Sequence, residues 1–141
     1  TYLGVAYVYQ GNNEKALAVF NKAIALDENN ITALNYRGNL GLRMQNYAMT
    51  IEDASRAIAL KPQVEDHYLL RGTGYYALEE YKKALKDFDK GIEINPENGE
   101  LYYYKSVALY ELDKAFCPTM LKAKQLGYAE AVRSYDEFCG E

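Results

Sequence analysis

One short pattern recurs along this chain at a fixed step, and that step constrains the fold more than any other feature. Asn21-Lys22-Ala23-Ile24-Ala25-Leu26 aligns with Ser55-Arg56-Ala57-Ile58-Ala59-Leu60 and with Asp89-Lys90-Gly91-Ile92-Glu93-Ile94, so Ile24, Ile58 and Ile92 stand 34 residues apart. The same step carries Leu3-Gly4 onto Arg37-Gly38 and then Arg71-Gly72, Tyr47 onto Tyr81, and Pro62 onto Pro96. A register shared across so many positions implies stacked repeats, each burying its apolar face only against its neighbours.

Each period reads as two helices. Between Val64 and Leu78, Tyr68, Tyr75 and Leu78 fall on one face at helical spacing. A polar break at Glu79-Glu80 follows, and Tyr81, Ala84, Leu85, Phe88 and Ile92 form a second stripe. Asn95-Pro96 ends that helix, because Pro cannot continue it and displaces the preceding residue from αR. The first period breaks at Gly11-Asn12-Asn13 and Asp27-Glu28-Asn29-Asn30, the second at Gln45-Asn46 and Lys61-Pro62. No stretch alternates with period two for long enough to make a sheet.

These residues resemble the tetratricopeptide repeat family. Tyr68, Arg71-Gly72, Tyr75, Tyr81, Ala84, Phe88, Gly91 and Pro96 follow the family pattern closely. The second period keeps Leu34, Gly38, Tyr47, Ala57 and Pro62 but departs at Gly41, Thr50 and Ala54. The first is shortened and keeps Leu3-Gly4, Tyr7, Ala16, Phe20 and Ala23. The resemblance implies an all-α fold, a right-handed α-solenoid of antiparallel helix pairs, as a single domain over residues 1–141. Its parts would be a truncated repeat over 1–30, repeats over 31–64, 65–98 and 99–126, and a capping helix over 127–141. Gly4, Gly38, Gly72 and Ser106 would sit where paired helices cross, with Phe20, Tyr68, Tyr75 and Phe88 filling the space between helices.

The fourth period keeps Tyr102, Ser106 and Leu109, then turns early at Asp113. Its second helix is expected from about Lys114 to Leu126, with Pro118 in the first turn, where a missing N–H is harmless. Gly127 suits a left-handed C-cap. Ala129 to Phe138 reads as a terminal helix with Ala131, Val132, Tyr135 and Phe138 inward, the polar cap that a repeat array requires. Residues 122–131, with Cys117 before and Cys139 after, resemble the C-terminal unit of many bacterial members of the family. If the last two helices are antiparallel about Gly127-Tyr128, Cys117 and Cys139 face each other. A disulfide there would stabilise by about 3 kcal/mol and needs Cα atoms within about 7 Å; two half-buried free thiols are the alternative. The bridge would place the chain in the periplasm or another extracytoplasmic space, and its absence in the cytoplasm. The chain opens at Thr1 with neither an initiator Met nor a signal peptide, which is weak evidence about compartment.

Little supports chemistry. A net charge of −4 opposes a phosphate backbone, so no nucleic-acid partner is expected, and no apolar run is long enough for membrane insertion. His67, the only histidine, lacks neighbours at ligand spacing and reads as a surface residue. Asp87, Asp89, Glu79 and Glu80 read as a solvated face. Gly72-Thr73-Gly74 lies inside a helix and is a packing feature rather than a phosphate loop. No catalytic set, metal site or cofactor is expected, and the chain is not read as an enzyme.

The family resemblance makes the first helix of each pair line a concave groove. That assigns Val5, Val8 and Tyr9; Asn35, Asn39, Leu42 and Arg43; Asp66, Leu69, Leu70, Thr73 and Tyr76; and Tyr103, Tyr104, Val107, Tyr110 and Glu111. Fifteen Tyr and no Trp is an odd composition, and a recognition surface accounts for part of it, since Tyr offers contact area and a hydroxyl at low entropic cost. The chosen groove set is Tyr9, Asn35, Asn39, Arg43, Leu69, Thr73, Tyr76, Tyr103, Val107 and Tyr110. The cations with which chaperone-binding members clamp a C-terminal carboxylate are missing: the matching positions hold Thr1, Val5, Tyr36, Asp66 and Leu70, or, one repeat later, Asn35, Asn39, Leu70, Glu100 and Tyr104. The expected function is non-enzymatic binding of a partner's peptide or helix in the groove. The alternative is a structural piece of a larger array, docking or forming a homodimer through the exposed first repeat at Tyr2, Leu3 and Val8.

Overall fold

A computed structural model describes residues 1–140 and holds nine α-helices and no strand among them. Two compact units divide the chain, one over Thr1–Gln63 and one from Val64 onward.

The first unit comprises α1 (Tyr2–Tyr9), α2 (Asn13–Leu26), α3 (Ile31–Arg43) and α4 (Tyr47–Leu60), each packed on its neighbour in sequence. Asparagines start three of them: the Asn12, Asn30 and Asn46 side chains accept from the N–H groups of Lys15, Ala33 and Met49. That satisfies donors which a helix N-terminus otherwise leaves open. Gly4 is obligatory because the fully buried Phe20 ring occupies its missing side chain: a Cβ there would lie 2.5 Å from the ring. At this crossing the missing side chain thus admits an aromatic ring. The irregular second period is explained by its own pairing. The Thr50 hydroxyl donates to the Gly38 carbonyl at 2.8 Å, and a Cβ at Gly41 would come within 2.5 Å of the Thr50 hydroxyl oxygen.

A charged pair closes this unit's interior. Arg37 donates from Nε and Nη2 to the two Asp53 oxygens at 2.7 and 2.6 Å, and from Nη1 to Asn21 Oδ1 at 2.7 Å. Asp53 is completely buried.

The second unit comprises α5 (Glu65–Ala77), α6 (Tyr81–Ile94), α7 (Gly99–Tyr110), α8 (Cys117–Gln125) and α9 (Ala129–Phe138), again packed in sequence order, with α5 also touching α7. Phe88 repeats the role of Phe20, its ring 2.5 Å from where a Gly72 Cβ would stand. Arg71 repeats Arg37, donating to Asp87 at 2.8 and 2.7 Å.

Several sequence expectations need correction here. Asp87 is buried rather than solvated, because it receives Arg71. His67 is only 2% exposed; it lies on the same face of α5 as Leu70 and Gly74, and that face is buried. Leu70 is therefore core rather than groove. The break after α7 is longer than in other periods, not shorter, and α8 begins at Cys117 rather than Lys114. Pro118 still occupies the first turn. On α9, Ala131 faces inward, but Val132 and Phe138 are exposed.

Five helices end on a residue with positive φ. Four of these residues stand 34 apart, Gly11 at 73°, Gln45 at 58°, Glu79 at 60° and Asp113 at 53°, and Gly127 follows at 77°. At each, this residue and the next donate back to the last helical turn, as in Tyr128 N–H to the Ala123 carbonyl and Gly127 N–H to the Lys124 carbonyl. The three non-glycine caps carry the Cβ penalty of the left-handed region. Gln45→Gly and Glu79→Gly should each raise stability by about 0.5–1 kcal/mol, net of glycine's entropy. Urea unfolding checks this, and a lowered midpoint would contradict it.

Candidate functional site

Each unit carries a pocket floored by the first helices of its pairs. In the first unit, Val5, Val8 and Tyr9 of α1 face Tyr36, Asn39, Leu40 and Arg43 of α3 around about 200 Å³. Tyr9 is 87% exposed.

In the second unit a pocket of about 240 Å³ has walls from every helix but α6. Tyr76 comes from α5, while α7 supplies Tyr103, Val107 and Tyr110, with Glu111 just past its end. Phe116 precedes α8, Met120 lies on it, and Ser134 and Phe138 belong to α9. The rings meet at differing angles. Tyr110 stands edge-on to Phe116 at 5.2 Å and tilted to Phe138 at 6.3 Å, while Tyr103 rests against Tyr104 and Tyr128. Tyr76 packs on Tyr81 at 5.4 Å, and its hydroxyl donates to Glu111 Oε1 at 3.4 Å. Burial, with the Glu111 carboxylate beside it, pushes the Tyr76 hydroxyl up to about 12, so it remains a donor at physiological pH.

The last two helices are fastened around this pocket. Cys117 and Cys139 form a disulfide with Cα atoms 5.6 Å apart. Lys124 pairs with Asp136 at 2.8 Å and lies over the Tyr135 ring. Met120, Ala123 and Ala131 make the buried cluster between them. Phe116 and Phe138, two walls of the pocket, are each the residue before a bridged cysteine. The bridge closes a loop with a sequence separation of 22, so removing it through Cys139→Ser should cost about 3 kcal/mol. Thermal melts with and without reductant check this, and an unchanged melt would contradict it.

Of the groove residues expected from sequence, Tyr9, Asn39 and Arg43 meet in the first pocket, and Tyr76, Tyr103, Val107 and Tyr110 in the second. Asn35, Leu69 and Thr73 line neither. The Asn35 carbonyl accepts from Asn39 Nδ2 at 2.8 Å, so that amide bonds within its own helix. The Thr73 hydroxyl likewise donates to the Leu69 carbonyl at 2.8 Å, and Leu69 packs against the Ala84–Phe88 core. Phe116, Met120, Ser134 and Phe138 were outside the expected set. The repeat pattern assigns no groove position to a capping helix; the pairing of each Phe with a neighbouring Cys was the available signal. No group of side chains able to hold a metal ion occurs among the described residues, and none of their helices is long and apolar enough to cross a membrane.

Comparison with known proteins follows the same pattern. The family model for "TPR repeat" matches residues 4–45, and that for "Tetratricopeptide repeat" matches residues 66–98. No curated protein matches the chain. Among solved structures, the first TPR of Spaghetti (RPAP3), bound to the HSP90 peptide SRMEEVD, is 25% identical. That match covers 80% of this chain and 90% of that one, with a TM-score of 0.76. MamA is 17% identical with a TM-score of 0.85, covering 95% of this chain and 81% of that one. MamA 41-end from Desulfovibrio magneticus RS-1 is 21% identical with a TM-score of 0.80, covering 96% and 75%. The two MamA likenesses are likenesses of fold, an all-α helical-repeat solenoid.

Proposed function

The chain belongs to the tetratricopeptide repeat family and is a protein-interaction module; from that premise we propose that it grips a peptide or helix of a partner protein through the pockets of its two units. The observation carrying this reading is the second pocket, where Tyr110 and Phe138 stand more than half exposed beside three further rings. Open aromatic walls on a rigid scaffold offer contact area at little conformational cost. In this reading the repeats run over 1–30, 31–64, 65–98 and 99–126, with the cap over 127–141. In the second pocket the occupant differs from the acidic peptide seen with RPAP3, since Glu111 is the only charged residue among the described residues lining it. The disulfide favours an extracytoplasmic setting.

Selection of a random peptide library on the chain tests the reading. Peptides enriched on the wild type should lose at least about tenfold in affinity on Tyr110→Ala, since a central aromatic anchor carries about 2 kcal/mol or more. Tyr110 is exposed, so that substitution spares the core, whereas Tyr103 packs on the Met120 cluster and its removal would weaken the fold. Undiminished binding by Tyr110→Ala would refute the pocket.

A second reading has its own observation. Tyr2 is 90% and Leu3 58% exposed on α1, a face suited to docking on another repeat or on a second copy. Light scattering should then show association that Tyr2→Ser with Leu3→Ser abolishes; a wild-type monomer at all concentrations would refute it.

A further inference from the structure

We propose that the pocket of the second unit receives a cationic side chain, the ammonium of a lysine or the guanidinium of an arginine presented by the partner segment. The inference rests on the groove reading above and names what occupies it. Two features of the pocket select a cation. The first is its walls: Tyr76, Tyr103, Tyr110, Phe116 and Phe138 line it, and Tyr110 stands edge-on to Phe116 and tilted to Phe138, so the rings do not close into a single stack. Aromatic faces carry the negative end of the ring quadrupole and attract cations, a mode of recognition distinct from simple apolar burial.

The second feature is charge. Among the described residues that line the pocket, Glu111 is the one ionisable acid or base other than the tyrosines, and no Lys, Arg or His stands with it. Its only hydrogen bond from a pocket wall is the long one from the Tyr76 hydroxyl, at 3.4 Å, which leaves most of a carboxylate's accepting capacity to solvent or ligand. An anionic occupant would meet this carboxylate and the ring faces with the wrong sign. A neutral apolar side chain would gain contact with the rings but nothing from Glu111, which is exposed and keeps its water. A cation satisfies both the carboxylate and the rings. The disulfide contributes by fixing Phe116 and Phe138, each adjacent to a bridged cysteine, so the cage is shaped before the ligand arrives.

The probes are two capped pentapeptides at equal ionic strength, acetyl-Gly-Gly-Lys-Gly-Gly-amide and its norleucine counterpart, which matches the lysine stem but lacks the ammonium. Binding is followed by NMR through the ring resonances of Tyr110, Phe116 and Phe138. The lysine peptide should shift these rings and bind at least about threefold more tightly than the norleucine peptide, within the range of a cation over aromatic faces. Glu111→Gln should reduce that preference, weakening the lysine peptide by about three- to tenfold and leaving the norleucine peptide unchanged or improved. Glu111 is exposed at the C-terminus of α7, so the neutral variant keeps the fold; an unchanged helical spectrum verifies it. Equal binding of both peptides, a preference undiminished in Glu111→Gln, or no shift of the three rings with either peptide each overturns the proposal. Equal binding in the pocket would leave the groove reading standing while removing the cation. Loss of the groove reading would show separately, as selected peptides indifferent to Tyr110→Ala.

Discussion

Arg37→Met is expected to destabilise the first unit by about 3–5 kcal/mol, the cost of stranding a buried charge. Asp53 has no exposed surface, and the Arg37 fork bonds both its oxygens at 2.6 and 2.7 Å. Met keeps the apolar stem of arginine without its guanidinium, so most of the stem's packing survives while the charge and its hydrogen bonds are lost. Replacing both members, as in Arg37→Met with Asp53→Leu, should recover most of the deficit, because two apolar side chains need no desolvated partner. Arg71→Met should cost less, since that pair is more exposed, at 23% and 7% against 15% and 0% for Arg37 and Asp53. Urea unfolding of the four proteins orders them. A loss below about 1 kcal/mol for Arg37→Met, the value typical of surface pairs, or a double variant no better than the single, would show that the pair is not a buried unit.

Phe88→Ala should cost about 3–5 kcal/mol, the range for emptying an aromatic site in a core. The ring is wholly buried and presses against Gly72, where a Cβ would come within 2.5 Å of it. Gly72→Ala alone should cost about 1–3 kcal/mol through overpacking, because a ring fully enclosed has nowhere to retreat. The two effects are coupled: Gly72→Ala with Phe88→Leu should cost less than the sum of its parts, since the smaller side chain yields the space the new methyl takes. The same coupling is expected between Gly4 and Phe20, which share the geometry. Simple additivity in either pair would mean that the glycine is small for some other reason than its aromatic partner.

These two sites also show how far the sequence can be read. Helices and their breaks were legible because the 34-residue step repeats local signals: an Asn at several helix starts, a Pro after the second helix, a glycine opposite an aromatic. The Arg–Asp pairs were not. Each joins residues sixteen apart, Arg37 to Asp53 and Arg71 to Asp87, and a carboxylate on a helix reads as solvated until its partner is placed. His67 failed for the same reason, since its helical position alone does not say which face another element covers. The capping helix was legible as a helix but not in its facing: Val132 and Phe138 are exposed, and α9 does not share the 34-residue recurrence that marks the inward positions of the other helices. The left-handed caps at Gln45, Glu79 and Asp113 were visible as breaks, but only the backbone reveals that three side chains stand where glycine would be easier.

The pocket followed from the repeat for Tyr76, Tyr103, Val107 and Tyr110 and escaped it for Phe116 and Phe138, whose placement depends on the α8–α9 hairpin and its disulfide. The direct measurement is photo-crosslinking of a library-selected peptide to chains carrying a benzophenone side chain at one position each. The account predicts adducts from position 110 in the second pocket and from position 9 in the first, and none from Lys82 or Lys86 on the exposed side of α6. Adducts from Lys82 or Lys86, with positions 9 and 110 silent, would contradict it.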